Sequence, residues 1–183
     1  RIRIEAPETE PLVLEKKDGA WRIPGLGDFP ATGFKIDELL GKLAAIEKRL
    51  PVATSESALT RFKVAETEFE RRLTLEGSDT PAATLYLGDS PGFRRLYVRA
   101  AGEQAVYEAE LALFDASEKA NDWTDTTHLH LPAEDIQGMR LADATLEREN
   151  GVWRLVDAAE GEELDQQAVD EAARELASLD FSS

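Results

Sequence analysis

The spacing of apolar positions switches from the two-residue period of a strand to the helical period, and it does so twice in the same order. Leu12-Val13-Leu14-Glu15-Lys16-Lys17-Asp18-Gly19-Ala20-Trp21-Arg22-Ile23 reads as a strand, a two-residue turn and a second strand. Ala144-Thr145-Leu146-Glu147-Arg148-Glu149-Asn150-Gly151-Val152-Trp153-Arg154-Leu155 reads the same way. Asp-Gly and Asn-Gly favour the type I′ turn, whose two positive φ angles match the twist of the flanking strands. With those dipeptides as loops, Lys16 faces Trp21 and Glu15 faces Arg22, while Arg148 faces Trp153 and Glu147 faces Arg154. Each copy thus sets a basic stem beside a tryptophan on one face and a Glu–Arg pair on the other, and such cross-strand pairs contribute roughly 0.2–1 kcal/mol. Burial of the tryptophan face makes Trp21 and Trp153 core anchors beneath a helix. Exposure would instead make them, with Arg22 and Arg154, contact residues for a partner.

A helix follows each hairpin. Ile36, Leu39, Leu40, Leu43 and Ile46 form one apolar stripe at helical spacing, and Val169, Ala172, Ala173, Leu176 and Leu179 form the other. A short strand precedes each hairpin, around Ile2–Ile4 and Met139–Leu141. The repeated unit is β-β-β-α. Between the copies, 68–76, 83–87, 96–100 and 105–108 alternate as strands of a meander, with turns at Gly88-Asp89-Ser90-Pro91-Gly92 and Ala101-Gly102-Glu103. Leu111-Ala112-Leu113-Phe114 opens a short helix ending near Asn121. The expected fold is α+β: antiparallel sheets in which duplicated β-β-β-α units at 1–50 and 133–183 flank the central meander of 51–132. No low-complexity linker interrupts the chain, so one composite domain is expected.

Charge narrows the partners. The chain has 183 residues and a formal net charge of -16, from 37 acidic against 21 basic residues. That excess repels phosphate backbones, and basic pairs such as Arg71-Arg72 and Arg94-Arg95 do not offset it, so nucleic acid is excluded as a partner. Cysteine is absent, which removes disulfides, thiolate nucleophiles and zinc–thiolate sites. Arg1 opens a strand pattern at once, which predicts a longer protein with further sequence ahead of it.

Candidate chemistry is sparse. His128 and His130 are the only histidines, and on a strand their two-residue spacing would bring both imidazoles to one metal, with Asp122 or Asp125 nearby. The competing reading makes them the polar face of a strand whose Leu129 and Leu131 point inward, and two ligands without a third favour it. Asp122, Asp125 and Asp135 do not fit a calcium-loop spacing. Gly88-Asp89-Ser90-Pro91-Gly92 matches a nucleophile elbow literally, but strand follows it where a helix is required. Pro91 also removes an amide that an oxyanion hole would use. Gly25-Leu26-Gly27-Asp28 lacks the rest of a phosphate loop. No catalytic set and no cofactor motif follow from these residues.

Several short motifs in order carry a resemblance: Gly19-Ala20-Trp21-Arg22-Ile23, the helix 36–46, Leu85-Tyr86-Leu87-Gly88, Tyr97-Val98-Arg99, Val106-Tyr107 and Gly151-Val152-Trp153-Arg154-Leu155. Over nearly the whole chain they resemble the bacterial family called domain of unknown function 4340. The stretch Ala58-Leu59-Thr60-Arg61-Phe62-Lys63-Val64 departs from the tyrosine-glycine-leucine-proline stretch usual there. The resemblance implies one N-terminal membrane helix ahead of this chain, with the bulk on the extracytoplasmic (periplasmic) face of the inner membrane. It also implies association with ABC-2-type transporters and gliding-motility-type auxiliary proteins, and it carries no catalytic residue. The expected function is a non-catalytic accessory or interaction domain contacting a transporter or envelope protein. A ligand- or metal-binding module with its cleft between the repeats is the alternative.

Overall fold

The computed structural model describes residues 1–77, 82–129, 131–141, 144–156 and 164–177. They form α+β architecture with antiparallel sheets, and the contacts gather into two compact units, Arg1–Asp125 and Thr126–Ser183, where the sequence suggested one composite domain.

The first unit is built on an eight-stranded sheet. Its strands are β1 (Ile2–Glu5), β2 (Leu12–Lys17), β3 (Ala20–Ile23), β4 (Phe29–Pro30), β5 (Arg71–Leu75), β6 (Ala83–Leu87), β7 (Leu96–Ala100) and β8 (Tyr107–Ala109). They lie in the order β4-β3-β2-β1-β5-β6-β7-β8. The first repeat and the meander are therefore one continuous sheet, joined where β1 pairs with β5, Ile2 opposite Leu75 and Ile4 opposite Leu73. Leu14, Ile23, Leu73, Leu87 and Leu96 point to one face, where α1 (Gly33–Ala44) lays Ile36, Leu39 and Leu43 on them. Trp123 joins this core, with its Nε1 donating to Ser117 O at 2.9 Å. A smaller core of Ala58, Phe62, Val64, Tyr86 and Val106 forms around α2 (Glu56–Arg61), a helix the apolar pattern did not announce. The helix expected from Leu111 to Asn121 is instead two 3-10 turns, Leu113–Ala116 and Ala120–Trp123. Ser117 between them is extended, and its hydroxyl donates to Asp122 and accepts from the Lys119 amide, a local side-chain network that competes with helix propagation.

At the β1–β5 seam Glu5 stands opposite Arg72, and the guanidinium grips it twice, Nε to Oε2 and Nη2 to Oε1, both at 2.6 Å. Glu5 is only 9% exposed. The hydrogen bonds from Arg72 outweigh the opposing effect of burial and hold the Glu5 carboxyl below its ordinary value. A carboxyl depressed in the folded state stabilises the fold above its unfolded value, about 4.3, and loses that contribution as pH falls through the folded value. Urea melts between pH 6 and acid should show wild-type stability dropping below about pH 4.3, with Glu5→Gln flattening part of that drop. An unchanged slope in the variant would refute the assignment.

The second unit carries β9 (Gly138–Arg140), β10 (Thr145–Glu149) and β11 (Val152–Leu155) in the order β11-β10-β9, with α3 (Gln166–Ala177). Its core is Met139, Leu146, Trp153, Val169 and Ala173. The expected helix stripe is only partly used: Leu176 is 41% exposed, and Leu179 lies outside the described residues.

Both hairpins hold the expected register, Lys16 opposite Trp21 and Glu15 opposite Arg22, then Arg148 opposite Trp153 and Glu147 opposite Arg154. The turn pairs Asp18-Gly19 (φ 50° and 83°) and Asn150-Gly151 (φ 52° and 81°) have the positive angles a type I′ turn needs.

Candidate functional site

The two tryptophans sit in different settings. Trp21 is half-buried against the main core beneath the Lys16 ammonium, 5.8 Å from the ring centroid. Its carbonyl accepts from Ala31 N at 3.0 Å, and its Nε1 has no hydrogen-bond partner among the described residues. Trp153 is buried, with Arg148 at 5.3 Å over the ring. Its Nε1 donates to Asp170 Oδ1 at 3.0 Å, and Arg148 lies 3.6 Å from the same oxygen. The outward backbone of Trp153 is closed by a single side chain: Trp153 N donates to Gln166 Oε1 at 2.9 Å, and Gln166 Nε2 donates to Trp153 O at 2.8 Å. Gln166 thus imitates a neighbouring strand at the β11 edge. Arg22 is half-buried, and Arg154 is exposed and paired with Glu149 at 3.1 Å.

His128 does not lie on a strand. The backbone at His128 belongs to a 3-10 turn, Thr126–Leu129, and His130 lies outside the described residues. His128 is thus not on the strand that both sequence readings assumed, and the pairing of His128 with His130 lies outside the described residues. Among the described residues no group of three or more His, Cys, Asp or Glu side chains is placed to hold a metal. Ser90 is exposed and donates its hydroxyl to Gly92 O at 2.6 Å, a turn-stabilising bond.

A further concavity belongs to neither set. A groove of about 690 Å³ runs between β8 and the connection leaving α1, with Ile46, Leu50 and Val52 on one wall and Arg95, Tyr107 and Glu108 on the other. Leu50 is 90% exposed there. Its ionic groups are largely matched: Arg49 with Glu47 at 2.7 Å, Arg95 with Glu108 at 3.3 Å, and Lys42 between Glu38 and Asp115, 2.7 Å from each. The lining holds no histidine, serine or threonine, and nothing in it forms a nucleophile–base pair. Sequence reasoning missed this groove because its walls come from stretches far apart in the chain. The Leu50-Pro51-Val52 cluster in a polar neighbourhood was the available signal.

The family described as domain of unknown function (DUF4340) matches residues 21–183. The chain belongs to the DUF4340 family. No curated protein and no solved structure matches it. The DUF4340 match takes in the groove, the second unit and all of the first hairpin from Trp21 onward. Strands β1 and β2 lie before it, although β1 occupies the middle of the eight-stranded sheet.

Proposed function

We propose that this chain is a non-catalytic interaction domain, the extracytoplasmic accessory part of a membrane-anchored protein that works with an ABC-type transport system. The observation that carries the interaction reading is the groove: apolar side chains in the open beside ionic groups already matched to one another, a chemistry suited to a polypeptide partner. The placement beside a transporter and outside the inner membrane follows from what the family resemblance implies.

Crosslinking of the full-length protein in its native membrane tests this reading. Transporter subunits are expected among the crosslinked species, well above a non-crosslinked control. Their absence above background in repeated preparations would sink it.

A further inference from the structure

The two edges of the eight-stranded sheet are finished differently. At the β4 edge, Pro30 has no amide to offer and its carbonyl accepts from Asp125 N at 2.9 Å, while Thr32 N donates to Trp123 O at 2.7 Å. A bridge between Ala31 and Thr124 completes that closure. At the β8 edge, among the described residues, only the first position is covered: Val52 N donates to Val106 O and Val106 N donates to Ala53 O, both at 2.9 Å.

The register fixes what lies beyond. Tyr97 exchanges both of its backbone hydrogen bonds with Gly88 and Asp89 on the β6 side. Leu96 and Val98 therefore turn theirs toward Ala109 and Tyr107 of β8. The N–H and C=O of Glu108 then point away from the sheet, on the same side as those of Val106, and among the described residues no backbone group pairs with them. That side faces the groove.

From this geometry we infer that the groove binds an extended polypeptide segment of a partner protein, which adds to β8 as a ninth, antiparallel strand. The chain's own residues 52–53 already use the first place on this edge, so the edge accepts a strand in that direction. Ile46, Leu50 and Val52 receive the apolar side chains of the incoming segment. With the other ionic groups matched, Glu110 is the carboxylate at the groove with no ion-pair partner among the described residues. A strand with basic ends complements it and the net charge of -16. This inference rests on the interaction reading and names the partner class for that site.

The test uses a fluorescently labelled octapeptide of alternating valine and threonine with a lysine at each end, titrated against the chain and followed by anisotropy. Binding is expected, with increased amide-exchange protection at Glu108 and Glu110. Glu108→Pro removes the outward N–H without touching a ladder bond to β7, and it should weaken binding at least about tenfold while the melting curve stays cooperative. A second arm leaves the protein intact: the same peptide N-methylated at alternate amides should lose binding by a similar factor, and glutamate ends in place of lysine should weaken it. Absence of binding by the lysine-ended peptide would overturn the proposal, as would equal affinity for the N-methylated form. Neither result touches the accessory reading, which stands or falls on the membrane crosslinking.

Discussion

Gly88→Ala is expected to cost the first unit about 3 kcal/mol or more and to lower its melting temperature by roughly 10 °C, measured by calorimetry or thermal circular dichroism. A Cβ built at Gly88 would stand 1.9 Å from Phe62 O, 2.8 Å from Lys63 O and 2.8 Å from Val64 Cγ1. The nearest two of these atoms are backbone, so no rotamer change relieves the clash. The backbone is pinned from both directions, since Gly88 N donates to Tyr97 O at 2.9 Å and Asp89 N donates to Phe62 O at 3.0 Å. Separating the layers would break the second bond and open the small core of Phe62, Val64 and Tyr86. Gly41, in the middle of α1, has open space around its Cβ direction and is the control: Gly41→Ala should be neutral or mildly stabilising. A Gly88→Ala protein melting within a degree or two of wild type would show that the contact relaxes freely.

Trp153→Ala should cost about 3–5 kcal/mol in the second unit, which exceeds what so small a core can spare. The described core there consists of five buried side chains, of which Trp153, only 2% exposed, is the largest. Truncation also removes the hydrogen bond that Nε1 donates to Asp170. Segment-resolved hydrogen exchange should show protection lost through β9, β10, β11 and α3. The same change at Trp21 should cost less, because Trp21 is half-buried and its Nε1 makes no hydrogen bond among the described residues. Equal effects at the two positions would contradict this difference in packing.

The contrast between these tryptophans marks where sequence reasoning reached and where it stopped. Strand, turn and register of both hairpins were legible because Asp18-Gly19 and Asn150-Gly151 fix the turn type, and the turn type fixes the pairing. The strands of the meander were legible for the same local reason. Pairing between β1 and β5 was not, since nothing local to Ile4 names Leu73 as its neighbour. The split environments of Trp21 and Trp153 come from residues beyond the two matching hairpins: β4 pairs beside one, and Gln166 reaches the other. Periodicity also overstated regular structure at 111–129, where Ser117 and the 3-10 turns interrupt it and His128 stands in a turn where a strand was expected. The groove was illegible because it is a tertiary object, assembled from the end of α1, the connection after it and an edge strand.

The unequal edges of the large sheet also limit how copies of this chain can aggregate. A fibre grown edge to edge needs two open edges on every molecule, one to accept and one to be accepted. Pro30 and the bonds made with residues 123 and 125 close one of them. Through this sheet the chain can therefore join one neighbour and no more, so even a crowded solution would yield finite pairs through it and no filament.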